Sequence, residues 1–167
     1  MTLDELNALP EARLREALQR CCGAARWVDG MTARRPFASL ATLVAAADEV
    51  ESDLAREDWL EAFTHHPRIG DISSLRAKFA DTKAWASSEQ SGAASASEAV
   101  LEGLAEGNRV YEERFGYIFI VCATGKSATE MLALLQGRLS NPPEAEWRVA
   151  AAEQAKITRL RLEKLLQ

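Results

Sequence analysis

Only one stretch of this 167-residue chain has the composition of a β-strand. Residues 117–123 are mostly β-branched and aromatic, and such side chains favour extended backbone. A single strand has no neighbour to complete its hydrogen-bond ladder, so the stretch is either a buried extended segment among helices or the start of the next helix. We therefore expect an all-α fold: a single-domain helical bundle over residues 1–167, with one buried extended segment near 117–123.

Apolar residues recur at helical spacing through most of the remaining sequence. Capping boxes of the form S/T-x-x-E begin at Thr2 and Ser127 and predict helix starts there, the second helix running to about Leu139. Another helix is predicted to start from a cap at Ser87 and to run toward Gly116. The other predicted helices cover residues 11–22, 37–54, 57–64, 73–79 and 144–166.

Residues 27–36 lie between two of these predicted helices. They contain the basic pair Arg34-Arg35 and end in Pro36. We predict a loop for them.

Charge and cysteine content exclude several classes of protein. The formal net charge is −5 with both signs interspersed, which argues against nucleic acid as a partner. No apolar run approaches the length of a membrane span, and the first residues lack the pattern of a signal peptide, so we expect a cytoplasmic protein with no membrane partner. The three cysteines fit neither a disulfide framework nor a zinc motif, and we expect no metal site.

The chain has two histidines, His65 and His66, and they are adjacent. Pro67 disfavours helical geometry for the residue before it, so the helix over 57–64 should end there and present His66 on an exit turn. Histidine is the side chain whose ordinary pKa lies near neutrality. This turn is therefore a candidate site of proton transfer.

Two more local elements are candidates for chemistry. The pair Glu89-Gln90 opens a predicted helix, and the run 156–162 lies on the last predicted helix. Arg159 and Arg161 in that run are two residues apart and cannot share a helical face, so we expect at least one of them to be solvated or salt-bridged. The sequence contains no phosphate-binding loop, no H-E-x-x-H and no G-x-S-x-G.

Five motifs in order resemble one family, the OHCU decarboxylases, which act on 2-oxo-4-hydroxy-4-carboxy-5-ureidoimidazoline (OHCU) in urate breakdown. Each motif is weak alone, but their order and spacing across nearly the whole chain are specific. The motifs are H-P-R-I-G-D at 66–71, Trp85 followed by Glu89-Gln90, F-G-Y-I-F-I-V at 115–121 with G-K-S at 125–127, R-L-x-N at 138–141, and K-I-T-x-L-R-L at 156–162.

The resemblance implies an all-helical enzyme that needs no cofactor, forms homodimers and converts OHCU to (S)-allantoin. It implies that the catalytic histidine is the one before proline, and that the arginine is the one within Leu-Arg-Leu. The residues 119–120 would belong to a segment whose backbone amides meet the substrate. The implied catalytic residues are His66, Glu89 and Arg161, and the implied substrate-binding residues are Pro67, Gln90, Phe119 and Ile120.

One position departs from the family pattern. Members often have a serine directly after the tryptophan, where this chain has Ala86. Either Ser87 or Ser88 supplies that substrate contact, or the contact is missing.

Two other functions compete with this interpretation. The chain could be a helical ligand- or peptide-binding module without catalysis, which grips a partner through Trp59, Trp85 and Trp147. Alternatively, it could be an enzyme for another product of purine-ring breakdown.

Overall fold

The computed structural model describes residues 1–67, 73, 75–76 and 91–167, and for 91–97 it describes the backbone. These residues form helices and irregular segments, with no strand among them, so the all-α prediction is confirmed. None of the helices found in these ranges is both long and apolar enough for a membrane span. The helices are α1 (Leu3–Ala8), α2 (Glu11–Cys21), α3 (Ala25–Ala33), α4 (Leu40–Ser52), α5 (Arg56–Thr64), α6 (Ser91–Phe115), α7 (Ala128–Leu139) and α8 (Pro143–Leu165).

The chain divides into two compact units, one made of residues 1–66 and 147–167 and the other of residues 67–146. The assignment of 1–167 as one domain stays a prediction. Within the predicted helix over 73–79, Ser73, Leu75 and Arg76 are helical and its other positions lie outside the described residues.

The first unit buries one apolar core between α2, α3, α4 and the second half of the last helix. Apolar residues on α2 recur at three- and four-residue spacing, so one face of that helix is removed from water. Central members of the core are Leu14, Leu18, Trp27, Met31, Leu43 and Leu162.

The predicted loop over 27–36 is wrong, because most of it belongs to α3. Trp27, Val28 and Met31 lie on one buried face of this helix. Gly30, which lowers helix propensity, is needed there: a Cβ at this position would lie 2.7 Å from Val50 Cγ1 on α4. Packing against α4 therefore outweighs the weak local preference for helix.

The predicted helix over 37–54 begins three residues later than expected. Ser39 caps α4 by accepting a hydrogen bond from the Thr42 backbone N–H at 3.1 Å. Phe37 instead exchanges two hydrogen bonds with the Asn7 side chain, its N–H donating to Oδ1 at 2.9 Å and its carbonyl accepting from Nδ2 at 2.8 Å. The Asn7 side chain of α1 thus satisfies the backbone N–H and carbonyl of Phe37, which lies before the start of α4.

The second unit places an irregular segment beside α6 and α7. Residues 117–123 are neither helix nor strand, and Ile120 and Cys122 are buried, so of the two alternatives the buried non-helical segment is correct. The Arg138 side chain on α7 donates from Nη1 to the Ile120 carbonyl at 2.6 Å. Ser127 caps α7 as predicted, accepting from the Glu130 N–H at 3.1 Å.

Arg138 is held by a buried carboxylate, that of Glu146. The guanidinium donates to Glu146 Oε2 from Nε at 3.0 Å and from Nη2 at 2.6 Å. Asn141 Nδ2 donates to Oε1 at 3.0 Å, and the Tyr111 hydroxyl donates to Oε2. Burial, with the bond to Glu146 second, raises the pKa of Tyr111, so its hydroxyl stays a donor. Each group of this network therefore has a partner, which is what burial of a charged pair requires.

Replacing Glu146 by alanine should destabilise the protein by about 3–5 kcal/mol, since Arg138 would remain buried without its counter-ion. Denaturant unfolding measures this loss. The matched control is Glu113→Ala, which removes the exposed pair with Arg109 and should cost less than about 1 kcal/mol. Equal losses for the two variants would contradict the role given to the buried pair.

Candidate active site

Helix α5 ends where the sequence predicts. Its last residue is Thr64, and the backbone N–H groups of His65 and His66 still donate to carbonyls of the final turn, at 3.2 and 3.3 Å. Pro67 follows and has no N–H to extend the pattern. His66 therefore stands on the exit turn of the helix.

The His66 imidazole is half-buried and bonds to the last helix. Its Nε2 lies 2.5 Å from Oε1 of Gln154, a residue 88 positions later in the chain. Gln154 is 1% exposed, so its amide has no water to bond to instead. The contact fixes the plane of the imidazole relative to α8.

The other end of the Gln154 amide is also held. Its Nε2 donates to Thr158 Oγ1 at 3.1 Å, one turn further along α8. Thr158 is fully buried, and its hydroxyl acts on the Cys22 thiol. Burial raises the pKa of Cys22 to about 11 although the Thr158 hydroxyl lowers it, so this thiol is neutral near pH 7. His66, Gln154, Thr158 and Cys22 thus form a chain of polar contacts inside the first unit.

Arg161 lies on the same face of α8 as Gln154 and Thr158, because positions separated by three, four and seven residues line one side of a helix. Its Nη1 is 3.3 Å from the Arg20 carbonyl and 3.5 Å from the Cys21 carbonyl. These carbonyls belong to the last turn of α2, where a cation is favoured. The end of α2 therefore positions the guanidinium.

Arg159 points to a different partner. Its Nε pairs with Glu163 at 3.3 Å, and its side chain is 61% exposed. The expectation that at least one of the two arginines is salt-bridged is confirmed. This pair is a surface interaction of the kind that contributes little to stability.

His66 is neutral near pH 7. Its pKa is lowered from 6.5, chiefly because burial disfavours the charged form; the bond to Gln154 acts in the opposite direction, and the positive charges of Arg161 and His65 lower the pKa further. Arg161 is thus close enough for its charge to act on the imidazole. The site pairs a neutral base with a permanent cation.

His65 has a different environment from its neighbour. Its imidazole lies against Gly23: a Cβ at that glycine would be 2.3 Å from His65 Cγ. The residue is exposed overall. The glycine leaves room for this ring, whereas the ring of His66 bonds to α8.

The implied substrate-binding residues within the described ranges belong to the second unit. They are Pro67, which is exposed, Phe119 and Ile120. The guanidinium carbon of Arg138 lies 4.6 Å from the centre of the Phe119 ring. Glu89 and Gln90 lie outside the described residues, as do Ala86, Ser87 and Ser88.

Sequence reasoning missed Gln154, Thr158 and Cys22. The one available signal was spacing, since Gln154 and Thr158 precede Arg161 by seven and three residues on a helix that had been predicted. Nothing in the sequence indicated that this face meets His66.

No group of three metal-ligating side chains occurs in the described ranges. Trp59 is one of the three tryptophans that the alternative binding module would use. Its side chain is buried and cannot contact a partner.

Comparisons with known proteins agree with the resemblance. The sequence profile described as OHCU decarboxylase matches residues 7–163. A uric acid degradation bifunctional protein of Arabidopsis thaliana is 41% identical over 148 residues, 87% of this chain and 45% of the relative. This chain thus spans less than half the length of that protein. A 2-oxo-4-hydroxy-4-carboxy-5-ureidoimidazoline decarboxylase of Haloferax volcanii is 27% identical over 165 residues, 97% of this chain and 94% of the relative.

A solved structure shares the fold. It is a crystal structure of OHCU decarboxylase in the presence of (S)-allantoin, with a TM-score of 0.70 and 35% identity, covering 89% of this chain and 95% of that one. Because the family profile covers nearly the whole sequence and the solved structure has the same fold, the chain belongs to the OHCU decarboxylase family.

Proposed function

We propose that this chain is a carboxy-lyase that converts OHCU to (S)-allantoin and CO₂ without a cofactor. The observation that carries the proposal is the neutral His66 held by Gln154 beside the fixed charge of Arg161, in a member of this family. The roles below follow from the chemistry of the substrate and of these side chains.

The substrate supplies its own electron sink. One ring carbon bears a hydroxyl and a carboxylate, and its neighbour is an imine carbon that carries the ureido group. When the bond to the carboxylate breaks, its electron pair moves toward the imine, whose nitrogen takes a proton from solvent. The hydroxyl then loses its proton to become a carbonyl, and a proton is added to the former imine carbon. The protein must orient the carboxylate and deliver that proton to one face.

His66 suits the proton transfers. A neutral imidazole can accept the hydroxyl proton as the carbonyl forms and can return a proton to the neighbouring carbon. Delivery from one fixed ring reaches one face of the substrate, which produces a single enantiomer. Such general acid–base catalysis typically supplies about 10²–10⁴-fold in rate.

Arg161 suits the orientation of the substrate. Its planar guanidinium can donate two parallel hydrogen bonds to a carboxylate or to the ureido oxygen. Very tight binding of the departing carboxylate would stabilise the ground state, so orientation is the contribution we assign to it.

The other assignments rest on the family resemblance. Glu89 and Gln90 would bind the ureido group, and Pro67, Phe119 and Ile120 would line the substrate. We also propose that the protein is cytoplasmic and that it forms a homodimer; light scattering of the purified protein tests the homodimer.

The experiment that tests the function follows freshly generated OHCU optically. The protein should accelerate the decay of OHCU absorbance and yield allantoin with circular dichroism, whereas spontaneous decay yields the racemate. A decay unchanged by the protein would favour the non-catalytic binding module.

His66→Asn should lower kcat by at least about 100-fold, because asparagine can still bond to Gln154 but cannot exchange a proton. The matched control is His65→Asn, which should stay within about threefold of the unmodified protein. Equal losses for the two variants would overturn the assignment of the base.

Activity should also depend on pH in one direction around neutrality. Because the pKa of His66 is lowered from 6.5, kcat/KM should be level near pH 7 and should fall as the pH decreases through that lowered pKa. A pH–rate profile from pH 4 to 8 measures it. If kcat/KM fell on the acid side with an apparent pKa above 6.5, that result would contradict a neutral His66 in the free protein.

Arg161→Ala should lower kcat/KM by roughly 10–100-fold, the loss expected from removing charge-assisted hydrogen bonds to an anion. Arg159→Ala is the matched control, since it removes an exposed pair on the same helix. Thermal unfolding of both variants separates a loss of binding from a loss of fold. Reversed severities would mean that the other helix face binds substrate.

A further inference from the structure

We propose that Gln154 is a positioning residue that holds His66 in its Nε2–H tautomer and thereby assigns proton transfer to Nδ1. Only the expected effect of Gln154 on activity rests on the proposed function. The structural part of the inference concerns which ring nitrogen carries the proton, and that can be measured without substrate.

The amide orientation follows from the second contact of Gln154. Its nitrogen donates to the Thr158 hydroxyl, so its oxygen is the atom that faces the imidazole at 2.5 Å. A carbonyl oxygen can accept a hydrogen bond and cannot donate one. Nε2 of His66 must therefore carry a proton, and the lone pair of the neutral ring lies on Nδ1.

Burial makes this arrangement costly to change. Gln154 is 1% exposed and Thr158 is fully buried, so without water an inverted amide would require two coupled changes: the Thr158 hydroxyl would have to donate to Oε1, and His66 would have to carry its proton on Nδ1. The Thr158 hydroxyl in turn lies one helical turn from Gln154, where it accepts the amide N–H at 3.1 Å. The tautomer of His66 is thus specified by two residues of α8.

The same hydrogen bond survives both protonation states of the imidazole. When Nδ1 gains a proton, Nε2–H still donates to Gln154, and no partner needs to move. A carboxylate in place of the amide would stabilise the charged ring and raise its basicity. The neutral amide instead fixes the orientation while leaving the ring uncharged at rest beside Arg161 and His65.

The test measures the two imidazoles by ¹⁵N nuclear magnetic resonance in the full-length protein. Two histidines give two sets of ring signals, and the loss of one set in His65→Asn assigns the other to His66. We expect the neutral ring of His66 to be protonated on Nε2. A neutral ring protonated on Nδ1 would overturn the proposal.

Three variants separate positioning from structural support. Gln154→Glu keeps the acceptor and adds a charge, so it should raise the pKa of His66 by at least about one unit. Gln154→Met keeps the length without the acceptor, so it should lower that pKa, give mixed tautomers and lower kcat about 10–100-fold with KM nearly unchanged. Gln136→Glu makes the same chemical change on an exposed position of α7 and should alter none of these values.

Thr158 provides a second route to the same result if the Gln154 variants unfold. Thr158→Val removes the hydroxyl that fixes the amide and should give mixed His66 tautomers, while Thr158→Ser should restore the Nε2–H form. An unchanged tautomer and unchanged kcat in both Gln154→Met and Thr158→Val would overturn the proposal. If the unmodified protein fails to accelerate OHCU decay, the proposed function fails, and the tautomer measurement still decides the role of Gln154.

Discussion

The hydrogen bond between His66 and Gln154 is the constraint on which the candidate site depends. It joins the exit of α5 to α8 across 88 residues of sequence, and it is made by a side chain that water does not reach. A buried amide without a partner would cost about 1–3 kcal/mol, so the pairing is maintained by the penalty for breaking it as much as by its own strength. The imidazole is therefore oriented before any substrate arrives, which is what efficient proton transfer requires.

The last helix, α8, carries buried polar residues of two chemically different kinds. The Glu146 carboxylate pairs with the buried guanidinium of Arg138. That guanidinium in turn donates a hydrogen bond to the Ile120 carbonyl. Gln154 holds His66 with a neutral amide. The difference fits the two tasks: a permanent guanidinium needs a counter-ion when buried, whereas a base that must be uncharged at rest would be compromised by one. The same helix thus holds a buried ion pair at one position and orients the proposed base at another.

Local rules predict much of this fold. The Ser127 cap and the stop before Pro67 depend on neighbouring residues alone, and both appear where expected. Helix α3 was missed because it forms through packing of its buried face, where Gly30 leaves room for Val50 of α4, a contact between distant positions. Gln154 was missed for the same reason, because its hydrogen bond to His66 forms only when α8 packs against the exit turn of α5. The family resemblance indicated His66 and Arg161, but spacing could not show what orients them.

A neutral imidazole beside a fixed cation has a further consequence for the proposed reaction. In the free site, burial and the charge of Arg161 both disfavour protonation of His66. A bound carboxylate offsets part of this effect, because its negative charge compensates the positive charge of the Arg161 guanidinium and so raises the pKa of the imidazole. The imidazole is then a stronger base when substrate is bound, and it becomes a proton donor once it has accepted the hydroxyl proton. After CO₂ leaves and the imine nitrogen has taken a proton from solvent, the imidazole accepts the hydroxyl proton, and the charged ring then gives a proton to the neighbouring carbon. One histidine can therefore perform both transfers, provided that its orientation does not change between them, and the bond to Gln154 is compatible with both states.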